Sequence, residues 1–359
     1  MKSRSFYPGV NALCIYPEHL LRWARISVNF DDIGIVVIGR NEGQRLLDCL
    51  VSLRSHASGI VYVDSGSTDG SAAAAEQLGA FVVRLDMAQP FTAARARNEG
   101  FAAIKAQKTN VRFVQFVDGD CELVSTWLDT ALVFIAKRND IAIVCGRRRE
   151  RYPERSVYNR LCDIEWDSPI GETMACGGDS LVRVDAFEEV GGFQPQLMAG
   201  EEPELCARLR QRGWKIWRLD TEMTRHDAAM MRFSQWWVRA VRSGYGEAEI
   251  SWLTSGIATS EKRQVARAVV WGGLLPFAIV LGALFHPAVL VGALIYPLQI
   301  GRIAMRREVT APESWIYGLF MMVAKFAQFQ GNLKYCWHCW RGQPARPIEY
   351  KQSGRSPPS

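Results

Sequence analysis

Charge of one sign is in short supply in this chain: 43 lysines and arginines stand against 37 aspartates and glutamates, a net of +6 over 359 residues. No DNA- or RNA-binding motif accompanies that small excess, nor does the aromatic interleaving of a nucleic-acid reader, so no nucleic-acid partner is expected. At 48% apolar and 22% charged residues the composition is that of a globular protein. A disordered chain, a collagen-like repeat and a small disulfide scaffold are excluded. Nine cysteines, an odd number, are scattered without a pairing pattern. No continuous apolar leader stands before Asp31. Both features fit reduced thiols in a protein facing the cytoplasm. Cys336-Trp-His-Cys339 lacks the second ligand pair of a zinc site and reads as packing. A mean hydropathy of −0.06 excludes a transporter of many spans.

The sharpest local absence is also one of charge. From Ala268 to Gly301 no charged residue occurs, and His286 and Gln299 are the only conventional polar side chains. One spanning helix takes about 20 apolar residues, so the run is long for one and short for two. His286-Pro287 breaks it near the middle, since proline removes an amide donor and clashes with the preceding turn. A tight helical hairpin, spanning or re-entrant, is expected over 256–310. Lys262, Arg263 and Arg267 before it and Arg302, Arg306 and Arg307 after it suit a hairpin with both ends cytoplasmic. Residues 311–359 read as an amphipathic interfacial helix around Trp315–Phe329 and a basic tail holding Lys334, Arg341, Arg346, Lys351 and Arg355. Residues 1–30 form an extension without an assignable role.

Between 31 and 255 short apolar runs alternate with helical spacing. Strands are expected at Ile33–Ile38, Ile60–Val63, Phe81–Leu85, Val111–Val117, Ile141–Cys145 and Lys215–Leu219. This pattern predicts an α/β domain, a mostly parallel sheet with helices on both faces. Ligands of such sheets bind at the carboxyl ends of the strands, and three ends carry polar clusters: Arg40-Asn41-Glu42, Asp64-Ser65 through Asp69, and Asp118-Gly119-Asp120.

Residues i and i+2 of a strand point the same way, so Asp118 and Asp120 can face one Mg²⁺ or Mn²⁺ whose other ligands are water and phosphate. A solvated turn is the simpler alternative. Asp64 can accept an N–H from a nucleotide base, a charge-assisted bond, while Asp69 can touch ribose or cap the next helix. Arg95 and Arg97, with Asn98, stand near a helix start and offer planar forks for phosphate, or else ordinary surface charge. Glu201-Glu202 opens a helix where acids suit the dipole or where one serves as a general base. His226 is a further candidate metal ligand. The run Arg147–Arg155 reads as a solvated arm or a contact for anionic lipid. Trp236, Trp237, Arg239 and Arg242 suggest a helix for membrane interface, acceptor or core.

Taken in order, VVIGRNEG, IVYVDSGSTDGS, ARARNEG, FVDGD, the VGGF…GEEPELCARLRQRGWKI block and the late histidine resemble the family 2 glycosyltransferases of the GT-A fold. The resemblance implies a hexosyltransferase-type enzyme with base recognition at Asp64, metal at Asp118 and Asp120, and a catalytic carboxylate at Glu202 or Glu201. Ser65 stands where the family's second turn aspartate is usual, and a glutamate stands at the base position. No Q-x-x-R-W motif follows, which sets the chain apart from processive synthases. The apolar hairpin and the Ile348–Lys351 segment look like bacterial membrane members that build exopolysaccharide. The implied partners are a UDP- or GDP-sugar, a glycan or polyprenyl-linked acceptor, and membrane lipid of the bacterial inner (plasma) membrane. A sugar-nucleotide nucleotidyltransferase is the competing reading, though Gly39–Gly43 is a poor phosphate loop. A catalytically degenerate membrane scaffold is the third.

Overall fold

The structure is a computed structural model that describes residues 32–54, 59–253, 259–307 and 311–342. The 1–30 extension and the tail basic residues Arg346, Lys351 and Arg355 lie outside the described residues. Strand β1 (Ile33–Gly39) leads to α1 (Gln44–Leu53), β2 (Ile60–Asp64), α2 (Ser71–Gln77), β3 (Phe81–Arg84), α3 (Ala93–Gln107) and β4 (Phe113–Asp118). A short β5 (Cys121–Leu123), α4 (Trp127–Ala136), β6 (Ile141–Glu150), α5 (Val157–Glu165), β7 (Gly171–Thr173), β8 (Ser180–Arg183) and α6 (Val184–Glu189) follow. Then come α7 (Glu201–Gln211), β9 (Lys215–His226), α8 (Phe233–Leu253) and α9 (Thr259–Val269). The apolar run forms α10 (Leu275–Phe285) and α11 (Ile295–Ala304), and α12 (Ala311–Trp340) closes the described chain.

All nine strands belong to one sheet, ordered β3-β2-β1-β4-β8-β6-β9-β5, with β7 also on β9. β3, β2, β1 and β4 run parallel. β8 is inserted antiparallel between β4 and β6, and β5 and β7 pair antiparallel with β9. The sheet is therefore mixed, with its parallel half where the alternating pattern is cleanest. β1 is buried at six of its seven positions, as expected of a strand covered on both faces. One face packs Leu46 and Leu50 of α1 and Trp127 and Leu132 of α4. The other packs Ile104 of α3, Phe187 of α6 and Leu205 of α7.

Two boundaries differ from expectation, and both matter to the site. Arg147–Arg149 is not a solvated arm but the continuation of β6, paired with β9 through Glu150. β9 likewise runs on to His226. The register between them shifts at Cys145/Arg147 and Arg147/Arg148; bulges of this kind re-aim side chains and turn Arg148 toward the sheet's carboxyl end. The aromatic-basic stretch lies on α8, where Trp236 is buried and meets Phe320 of α12 edge-on at 4.9 Å. Stretches 260–285 and 287–304 are each long and apolar enough to cross a membrane, and α10 ends before His286, where the sequence places the break.

Candidate active site

The end of β4 is the centre of the site. Asp118 accepts from Arg97 on α3 at 2.8 Å through Oδ1 and from Arg148 on β6 at 3.2 Å through Oδ2. Arg97 is 2% exposed and extends its other nitrogen to Glu201 at 2.7 Å and Glu202 at 3.3 Å. One guanidinium thus ties the strand end to the start of α7. Arg148 also pairs with Asp179 at 2.8 Å. Asp179 is fully buried, accepts the Asp118 backbone N–H at 2.9 Å and receives the Thr224 hydroxyl at 2.7 Å. Both Asp179 and Arg148 escaped the sequence reading. Each needs a distant strand: β8 flanks β4 only through an antiparallel insertion, and Arg148 turns inward only through the shifted register of β6 and β9.

Asp120, 7% exposed, lies just past the strand, its Oδ2 3.0 Å from His226 Nε2. Burial, then the Arg148 guanidinium, push His226 down to about 4, so its imidazole is neutral. Its Nδ1 has no hydrogen-bond partner among the described residues, and Trp166 packs edge-on against the ring at 4.8 Å. Ligand atoms of Asp120, Cys121 and His226 lie within 4.8 Å of one another. The wider cluster sets Asp118, Asp120, Asp179, Glu201 and Glu202 against the guanidiniums of Arg97 and Arg148. Two carboxylates, a neutral imidazole and a local surplus of negative charge fit a divalent cation.

α7 begins at Gly200, whose φ of 83° and closeness to Ile250 both exclude a Cβ. Glu201 is buried, while Glu202 is 16% exposed and held less closely by Arg97. Burial and the adjacent Glu201 carboxylate push Glu202 up to about 7, the range in which a carboxylate takes a proton effectively at neutral pH.

The remaining candidates divide into cleft residues and braces. Arg40, Asn41, Glu42, Ser65, Asp118, Asp120, Arg148 and His226 all line one cleft of about 510 Å³. Asn41 also braces the β2 turn, accepting the Thr68 N–H at 2.7 Å while its own N–H donates to Ser67 Oγ at 3.0 Å. Asp64 accepts the Tyr62 hydroxyl and the N–H groups of Gly66 and Ser67, shaping the turn that carries Ser65. Asp69 accepts the Ser71 N–H at 3.0 Å at the start of α2. Arg95 donates to the Asp86 and Gln89 carbonyls, and Asn98 exchanges two hydrogen bonds with Phe193. A second cleft of about 490 Å³ contains Glu201, Glu202 and Arg97 and is walled by α8, α9 and α12. The two clefts meet at Ala93, Asp118, Arg239 and Arg242.

A parallel half-sheet with a carboxylate cluster at the β4 end, beside an antiparallel insertion, defines the GT-A glycosyltransferase fold. Residues 34–191 match the family model Glycosyl transferase family 2. Comparison with curated protein sequences gives no match. Among solved structures the fold is similar to that of the mannosyltransferase PcManGT from Pyrobaculum calidifontis in complex with GDP-Man and Mn2+. The TM-score is 0.55 at 16% identity, covering 84% of this chain and 87% of that one. S. aureus TarS 1–349 aligns at TM-score 0.48 and 13% identity over 87% of this chain and 92% of its own. Glucosyl-3-phosphoglycerate synthase from Mycobacterium tuberculosis, in complex with Mn2+, UDP-Glc and PGA, aligns at 0.40 and 16% over 57% and 78%.

Proposed function

We propose that the protein transfers a sugar, with inversion, from a UDP- or GDP-sugar to an acceptor hydroxyl. The observation that carries this reading is the pair of clefts sharing a wall at Asp118. One bears Asp120 and His226 and the other bears Glu201 and Glu202. A donor in the first and an acceptor in the second would meet at the β4 end, with attack from the side opposite the leaving diphosphate. Glu202, the more open and more loosely held of the two glutamates, takes the proton of the attacking hydroxyl. Arg97 holds both glutamates and Asp118 in fixed relation, so base and donor site keep their spacing. Asp120 and His226, with Asp118, would hold Mg²⁺ or Mn²⁺. Such an ion supplies charge stabilisation to the departing diphosphate. The turns at Asn41 and at Ser65 receive the nucleotide, the second kept in shape by Asp64.

The acceptor in this reading is a lipid-linked or growing cell-surface glycan, as in exopolysaccharide assembly. The second cleft lies beside the helices that lead into the apolar hairpin, and exposed basic residues flank that hairpin. In this reading the enzyme works on the cytoplasmic face of a bacterial inner membrane. Incubating the membrane fraction with UDP- and GDP-sugars and Mn²⁺ should release the nucleoside diphosphate. Pyrophosphate release would instead make the protein a nucleotidyltransferase, and release of neither would leave a scaffold. Turnover persisting in excess chelator would remove the metal from the reading.

A further inference from the structure

The apolar hairpin divides into a packed root and a bare tip. At the root, Gly272 lies against the Lys325 carbonyl of α12 and Gly273 against the Phe329 ring, leaving no room for a Cβ. The Tyr296 hydroxyl donates to the Trp271 carbonyl at 2.8 Å, and its ring stacks on Phe326 at 5.9 Å. On the returning leg the Ile300 carbonyl lies 2.7 Å from where a Cβ at Gly318 of α12 would stand. Beyond the root the legs touch chiefly each other, with Gly282 against Val289. Leu284 is 79% exposed and Phe285 83%.

The bare legs are short. α10 has 11 residues, which at about 1.5 Å per residue reaches roughly 16 Å. The eight-residue 3-10 segment Pro287–Leu294, at about 2.0 Å per residue, returns roughly 16 Å. A bilayer's hydrocarbon core is about 30 Å thick, so the bare part reaches to its middle. Burying the root as well does not extend it. Only one side of the root rests on α12, with Val270 45% and Leu274 60% exposed on the other, but α12 carries Lys325 and Gln328 into the second cleft, and such groups are costly in hydrocarbon.

The turn itself is built for a dry setting. The His286 N–H donates to the Gly282 carbonyl at 2.9 Å, and the Val289 N–H to the His286 carbonyl at 3.0 Å. The Ala288 N–H donates to His286 Nδ1 at 3.2 Å, and Pro287 has no N–H. Unpaired backbone donors cannot be left in hydrocarbon, and this turn leaves none. At the other end Lys262, Arg263, Arg267, Arg302 and Arg306 are exposed, at the level where anionic head groups would lie.

We propose that the hairpin is a wedge entering one leaflet, with its tip near the bilayer midplane, and that it does not cross. This rests on the membrane reading above. A wedge of that depth sets the second cleft beside the head groups of the same leaflet, where a lipid-borne acceptor would present its sugar. The test uses the full chain with Cys14, Cys336 and Cys339 changed to serine, reconstituted in vesicles of phosphatidylethanolamine and phosphatidylglycerol. Single cysteines are placed at Leu274→Cys, Leu281→Cys and Ala288→Cys, and carry nitroxide labels. Collision with oxygen should increase from 274 to 281 to 288, and an impermeant maleimide on the far side should leave Ala288→Cys unlabelled. A depth maximum at 281, or far-side labelling of 288, would show a spanning hairpin and overturn the wedge while keeping the membrane site. Labels that stay in water, on protein that fails to float with the vesicles, would overturn the wedge and the membrane reading together.

Discussion

The β4 end and the hairpin tip answer opposite halves of one problem, the cost of moving polar groups out of water and of leaving apolar groups in it. At the β4 end Asp118, Asp179, Glu201 and Glu202 are gathered around the guanidiniums of Arg97 and Arg148 and paired with them. At the tip, side chains as large as Phe285 are left out, and only the backbone is satisfied. The first arrangement is costly to assemble and tightly positioned, as a site that handles charge requires. The second is stable only if something apolar covers it. The two regions are thus separated along the chain, with α8 and α9 between them.

Breaking the charged region should have the larger consequences. Glu202→Gln should lower kcat by roughly 10²–10⁴-fold, the usual worth of a general base, while donor binding measured by calorimetry persists. Near-normal turnover would move the base elsewhere, and Glu201→Gln tests the neighbour. Arg97→Met removes the cation shared by Asp118, Glu201 and Glu202. Losing one member of a buried ion pair costs about 3–5 kcal/mol, which urea unfolding should register.

On the apolar side, Leu284→Arg should add about 2.5–3.5 kcal/mol to membrane insertion and shift the protein toward the soluble fraction on flotation. Its turnover on a water-soluble acceptor should be unchanged, since Leu284 touches neither cleft. Thr224→Val leaves the buried Asp179 short of one donor, a loss of about 1–3 kcal/mol. An unaltered melting curve would show that Arg148 and the Asp118 N–H suffice there.

The smallest expected effect is one of pH. Burial raises Glu249, whose Oε2 accepts the Met198 N–H at 3.1 Å, to about 7. The folded state therefore holds a proton that the unfolded chain releases near pH 4.5. Stability from this group is full below that value and is lost as pH rises through about 7. Glu249→Gln should shrink that loss, seen as a flatter dependence of Tm on pH between 5 and 8 by the same linkage. If Glu202, raised likewise to about 7, is the proposed base, kcat/KM should climb through that pH as it loses its proton, and a flat pH profile would count against it.

Much of the first half of the fold was legible because buried parallel strands are continuous apolar runs, and β1 to β4 lie within a few residues of the expected strands. Strand lengths in the second half were not. β6 and β9 look polar where they continue, because Arg147 pairs with Asp167, Arg148 with Asp179 and Arg149 with Glu222 rather than with hydrocarbon. Arg95 and Asn98, read beside Arg97 as possible phosphate contacts, brace loops instead. Nothing in an isolated arginine codon distinguishes a fork facing a carbonyl from one facing a buried carboxylate.

Local chemistry in the sequence determined the strand ends, the turn residues and the charge-free run, since each depends on neighbours a few positions away. Only the tertiary structure decided that Arg97 would join Asp118 to Glu201 and Glu202, that Asp179 and Arg148 would stand behind them, and that the hairpin root would pack one side on α12. Those outcomes depend on which strands lie side by side and at what register, and electrostatic and packing energies act on that spatial proximity rather than on position along the chain.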